Sequence, residues 1–213
     1  MRVLYLTHPQ VAIDPAVPVP RWPLSAVGRA RAEVAARAGW VANVRRIVSS
    51  GETKAIETAA IIGAVLGVTP EARADMGEND RSATGFLAPD AFEITADRFF
   101  AHPDESIAGW ETAGAAQARI VSAAQAVLAE RAAGGDLLFV GHGAVGTLLM
   151  TAWLGLPISR ALDQPQGGGN VFAFDSASSH VLHRWLPLEH DAVGMLGCEI
   201  SSGGIGPAVS GDE

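Results

Sequence analysis

Two histidines stand just past short apolar runs. His8 follows Val3-Leu4-Tyr5-Leu6-Thr7, and His142 follows Leu137-Leu138-Phe139-Val140-Gly141. A third run, Arg46-Ile47-Val48-Ser49, ends at Ser50-Gly51 just ahead of a helical pattern. Such runs read as buried strands. In an open parallel sheet, ligands bind beyond the carboxyl ends of the strands. Helix N-termini at that edge offer free N–H groups and the positive end of a dipole, which suits an anion. Two imidazoles and two helix N-termini at one edge therefore point to a phosphate site. A lone histidine is by default a satisfied loop or core residue, and it is the paired placement that raises these two above that default.

Other candidate groups carry less signal. Gly141-His142-Gly143-Ala144-Val145-Gly146 fits the dinucleotide fingerprint G-x-G-x-x-G between a strand and a helix. That motif needs a second strand closing on an acid roughly 20 residues on. Here Gly155-Leu156-Pro157 and a glycine-rich loop intervene, and too little chain follows for a mononucleotide-binding half. His180 and His183 fall on opposite faces of an expected strand, and His102 and His190 read as loop residues. Cys198 has no basic neighbour in sequence to activate it.

The elements that must position the histidines follow from punctuation and periodicity. Strands are expected over 3–7, 46–49, somewhere within 68–76, and over 137–140, 171–174 and 180–185. Five prolines between residues 9 and 24 make an irregular loop. Ser25 caps a helix running to residue 38, and Thr53 caps one running to residue 66, closed by Gly67. Further helices are expected over 92–100, 108–133 and 144–154. Strands alternating with helices imply a three-layer αβα sandwich around a mostly parallel sheet. It forms one domain over 1–203, with a loose tail of glycine, serine and acid over 204–213.

Composition sets outer bounds. The chain has 213 residues, 48% of them hydrophobic, enough for one buried core and too apolar for a disordered chain. Net charge is −8, so a nucleic-acid partner is not expected, since non-specific binding needs a basic face. The single cysteine excludes an internal disulfide framework and a multi-cysteine zinc site. No apolar run reaches the roughly 18 residues of a membrane span, and the N-terminus lacks the pattern of a signal peptide. A cytoplasmic protein away from membranes is the expectation. Fourteen of the 15 basic residues are arginine, and Lys54 alone is lysine.

Six short segments, in order, resemble the histidine phosphatase superfamily, also called phosphoglycerate-mutase-like. Leu4-Tyr5-Leu6-Thr7-His8-Pro9 stands in the place of its Leu-x-x-Arg-His-Gly. Trp22-Pro23-Leu24-Ser25-Ala26-Val27-Gly28 is similar to its Pro-Leu-Thr-x-x-Gly. The segment from Ser49 through Lys54 to Ala59 is similar to Ser-Ser-Pro-x-x-Arg-Ala-x-x-Thr-Ala. Glu78 falls where the family carries its acid, Glu105-Ser106 resembles the pair before its long helix, and Val140-Gly141-His142-Gly143 resembles Val-Ser-His-Gly. Two departures stand out. The family's two phosphate-gripping arginines are Thr7 and Lys54 here, a neutral hydroxyl and an ammonium without the bidentate fork.

The resemblance implies phosphomonoester hydrolysis on a small phosphorylated molecule, with no metal and no organic cofactor. His8 would be the nucleophile, His142 a donor to the phosphoryl oxygens and Glu78 the acid and base. Thr7, Lys54 and Gly143 would line the phosphate cradle, and Arg21 or Arg81 would replace the missing first guanidinium. The alternative for Lys54 is a solvated residue in the first turn of its helix, paired with Glu57 or Glu52. A relative that binds a phosphorylated ligand with weak or no turnover is the rival reading, and a dinucleotide-binding protein a more distant one.

Overall fold

The computed structural model describes residues 1–130, 134–178 and 180–190. The tail expected over 204–213 and Cys198 lie outside the described residues, as does the last part of the domain expected over 1–203.

Six strands form one sheet in the order β3-β2-β4-β1-β5-β6. They are β1 (Arg2–Thr7), β2 (Val44–Ser50), β3 (Glu71–Arg73), β4 (Asp136–Gly141), β5 (Asn170–Asp175) and β6 (Val181–Pro187). The pairs β1/β4, β2/β4 and β2/β3 are parallel, while β5 runs antiparallel to both β1 and β6. The sheet is thus mixed, with β5 the one reversed strand.

Side chains alternate across the sheet with the period of two that a strand imposes. Val3 and Tyr5 of β1 join Phe139, Phe172 and Phe174 in one apolar layer beneath α3 (Pro89–Ala101), α4 (Ala113–Ala129) and α5 (Gly143–Trp153). Leu4 and Leu6 join Leu138, Val140 and Trp40 in the other layer, beneath α1 (Ala26–Ala35) and α2 (Thr53–Leu66). Each face of a central strand is dry, which is why its sequence reads as an unbroken apolar run.

The helix ends show where local chemistry competes. Ser25 caps α1 as expected, its side chain accepting from the Gly28 N–H at 3.1 Å. Helix α1 stops at Ala35, short of residue 38. Gly67 closes α2 in the left-handed region, at φ 67°. The N-cap of α2 is Glu52 rather than Thr53, and no side chain caps it. Helix α4 begins at Ala113, five residues later than expected, because the Thr112 side chain caps it and Ala108 takes a positive φ of 52° in the turn before. That turn seats Trp110 in the core, its indole N–H donating to Thr84 Oγ1 at 2.8 Å.

Candidate active site

Strand register brings the two histidines together. Thr7 pairs with Gly141 across β1 and β4, so the residues that follow emerge side by side. The His8 N–H donates to the Gly141 carbonyl at 2.9 Å, and the imidazole centroids are 5.2 Å apart in an edge-to-face arrangement. Ser49 of β2 pairs with Val140, which delivers Ser50 to the same edge. Against His8 lies the loop Gly167-Gly168-Gly169, where all three residues take positive φ. A Cβ on Gly168 would stand 2.4 Å from the His8 carbonyl oxygen, so only glycine serves there.

His8 Nδ1 lies 2.8 Å from the Pro9 carbonyl oxygen. A carbonyl can only accept, so Nδ1 carries the proton and Nε2 keeps its lone pair. Burial lowers the His8 pKa to about 4, with Lys54 and Arg81 adding to the effect and the Pro9 hydrogen bond opposing it. Near neutral pH this imidazole is an uncharged base with a free Nε2.

His142 is deeper, 1% exposed. Its Nε2 lies 2.8 Å from Ser50 Oγ and 3.4 Å from Glu52 Oε1, and its buried Nδ1 has no hydrogen-bond partner among the described residues. Burial holds its pKa well below the usual imidazole range, against the pull of Glu52. The backbone of His142 is clamped by Tyr5. The phenol donates to the His142 carbonyl at 3.2 Å and accepts its N–H at 3.1 Å. A Cβ on Gly141 would sit 2.2 Å from that phenol oxygen, so the glycine where the family has serine is the space Tyr5 occupies.

Glu78 reaches the N-terminus of α5. Its carboxylate accepts from the Val145 N–H at 3.1 Å and from the Asn79 N–H at 3.2 Å. These bonds favour the ionised form, yet burial outweighs them and raises the pKa. The other phosphate-cradle candidates divide. Lys54 is 3% exposed and bonds the Glu52 carboxylate and the Val19 carbonyl. Glu57 is paired with Arg29 instead. Thr7 is wholly buried; its hydroxyl lies 2.6 Å from Gln164 Oε1 and accepts from the Asn170 N–H at 3.0 Å. Gly143 opens α5 with Gln164 Nε2 packed against it. Arg81 lines the cavity beside Glu78, its guanidinium 5.2 Å from the Phe92 ring centre and 5.6 Å from that of Trp110. Arg21 is exposed, with no side-chain hydrogen bond or ion pair among the described residues.

Glu52 and Gln164 were not singled out as cradle residues on sequence. Burial acts to raise the Glu52 pKa, but His142, Lys54 and the Glu78 N–H together lower it to about 2. Ser50, Glu52 and Glu78 form the floor of a cavity of about 790 Å³, walled by residues 15–20 and by Phe86. Among the described residues no group of three or more His, Cys, Asp or Glu is placed to hold a metal ion, and no helix is long and apolar enough to cross a membrane.

The fold resembles several solved structures. One is mycobacterial glucosyl-3-phosphoglycerate phosphatase with inorganic phosphate, 21% identical, spanning 89% of this chain and 99% of that one at a TM-score of 0.70. Another is YhfR of Bacillus stearothermophilus, 19% identical over 86% of this chain and 94% of that one, TM-score 0.68. A third is a mutant phosphoserine phosphatase of Entamoeba histolytica in complex with phosphoserine, 14% identical over 84% and 93%, TM-score 0.68. Comparison with curated protein sequences gives no match. The sequence profile of the histidine phosphatase superfamily (branch 1) matches residues 19–185, a span that begins after His8. On that match, which supports a phosphatase-type function, the chain belongs to the histidine phosphatase superfamily.

Proposed function

We propose that this protein is a phosphomonoesterase that works through a phosphohistidine at His8. The observation that carries the reading is the approach of His8 and His142 at 5.2 Å, with the His8 proton held on Nδ1 by Pro9. His8 Nε2 attacks phosphorus, the ester P–O bond breaks, and Glu78 gives its proton to the departing oxygen. Its raised pKa suits that acid role. In the second step Glu78 takes a proton from water, the water oxygen bonds phosphorus, and the P–N bond breaks to restore His8. His142, Ser50, Lys54 and Arg81 are the groups available to meet the charge on the equatorial oxygens. Gln164 stands beside them at the start of α5.

The test is rapid-quench labelling with a phosphorylated substrate, chosen from a broad phosphomonoester panel. An acid-labile, base-stable label on the protein is expected, absent in His8→Ala. Label that survives in His8→Ala would mean another nucleophile. One observation favours a binding protein with little turnover: Lys54 and Thr7 are both engaged by other protein groups. Ligand binding without turnover or label in the wild type would support that second reading.

A further inference from the structure

The cavity beside the histidines says something about the alcohol that the phosphate would carry. We infer that the site takes monophosphate esters of neutral, apolar alcohols. The inference rests on the phosphatase reading for where the phosphoryl group sits, and adds what lies beyond it.

One wall is the segment 15–20, half of it proline, which has no N–H to offer. Its remaining polar groups are largely spent inside the loop. The Ala16 N–H bonds the Asp14 side chain and the Val17 N–H bonds the Asp14 carbonyl, both at 3.0 Å. The Val17 carbonyl accepts from the Trp22 indole at 2.9 Å, the Pro18 carbonyl from the Arg21 N–H at 2.8 Å, and the Val19 carbonyl from Lys54 at 2.9 Å. Phe86 extends this surface, propped on Trp22 with ring centres 5.6 Å apart. A sugar or polyol against this wall would lose water without gaining partners there; polar side chains of the lining, among them Asn79, Asp80 and Ser82, lie outside it. An alkyl chain would bury its surface at no such cost.

Charge excludes a second class. Among the described residues the ionisable groups lining the cavity are Glu52, Glu78 and Asp80, with Arg81 the only cation. The phosphoryl group itself needs that cation. A further carboxylate or phosphate on the ligand would face the acids alone.

The experiment is a homologous series of ethyl, butyl and hexyl phosphate, with glucose 6-phosphate and 3-phosphoglycerate as polar comparators. The leaving groups of the alkyl series share one chemistry, so any trend reports contact with the wall. Affinity by calorimetry and kcat/KM should both rise about two- to fourfold per methylene, the scale of burying a CH₂ group. Hexyl phosphate should exceed both comparators at least tenfold, and Phe86→Ala should flatten the series. A flat series with turnover, or a comparator equal to hexyl phosphate, overturns this inference and leaves the hydrolase reading standing. A graded series in binding with no turnover supports the inference and defeats hydrolysis. No binding of any ester defeats both.

Discussion

At Lys54 the proposed phosphate cradle holds a complete ion pair: a buried ammonium, the Glu52 carboxylate against it and His142 behind. At Thr7, on the other side of His8, it holds no charge. There a hydroxyl, the Gln164 amide and the Asn170 side chain and backbone close a neutral network, with Asn170 Nδ2 donating to Gln164 Oε1 at 3.1 Å. The resemblance places an arginine at each of these two positions. One has been exchanged for a cation that brings its own anion, the other for dipoles that satisfy each other. The difference teaches that a charged cradle can be dismantled in two ways with unequal consequences. The neutral network satisfies itself with dipoles, whereas the ion pair keeps a cation in place, held by Glu52 and the Val19 carbonyl.

The strongest way to break the comparison is Lys54→Met. It leaves the mostly buried Glu52 carboxyl without its ammonium partner, with the Glu78 N–H and His142 still against it, and we predict a loss of about 3–5 kcal/mol, the scale of a broken buried ion pair. Urea unfolding checks it, and the Lys54→Met/Glu52→Gln double variant should recover most of the loss. If the single variant is as stable as the wild type, the pair is not the unit described. On the neutral side, Thr7→Val should cost about 1–3 kcal/mol, because the Asn170 N–H and Gln164 Oε1 lose a buried partner. A cost equal to that of Lys54→Met would erase the distinction between the corners.

Anion binding sharpens the contrast further. Glu52→Gln keeps the shape and frees Lys54, so phosphate or vanadate should bind roughly tenfold more tightly, about 1.4 kcal/mol by calorimetry. Weaker binding would mean that Glu52 supports the anion rather than competing with it.

The smallest expected effect is in pH dependence. His8 has its folded pKa lowered to about 4 from 6.5. Between those values the unfolded chain binds a proton that the native state refuses, so His8 contributes a stability loss as pH falls through that window. For activity the same shift places the acid limb of kcat/KM near pH 4. Under the hydrolase reading Glu78 sets the alkaline limb, which its burial moves above the usual carboxylate range. Removing the Glu52 charge in Glu52→Gln should move the acid limb lower, by less than about one pH unit, since that carboxylate favours protonated His8. An acid limb that moves upward would reverse the assigned sign.

The adjacency of His8 and His142 was legible because strand register does the work: two apolar runs of similar length, each ending in histidine, need only pair in parallel. The cap at Ser25 was legible because a serine hydroxyl before a helical pattern has one good use. The start of α4 was not, since an alanine-rich stretch shows no break in composition where Thr112 intervenes. Glu52 was visible only as one of two acids near the lone lysine. Its turn inward depends on the Glu78 N–H, 26 residues away, and on His142, which no local pattern connects. Gln164 was hidden for a similar reason. It sits in a loop, and its partners Thr7 and Gly143 belong to other parts of the chain.

Tyr5 has a consequence for how such chains are recognised. A Cβ on Gly146 would meet its ring at 2.5 Å, as one on Gly141 would meet its hydroxyl, and one on Gly143 would meet Gln164 Nε2 at 2.3 Å. The three glycines that spell a nucleotide fingerprint are therefore moulded around a tyrosine and a glutamine of the same polypeptide, with no pyrophosphate called upon. In descendants of this chain, position 141 should regain a side chain only together with a smaller residue at position 5. The two would then be inherited as a linked pair, and pattern searches that score glycine spacing alone would misfile those that keep both.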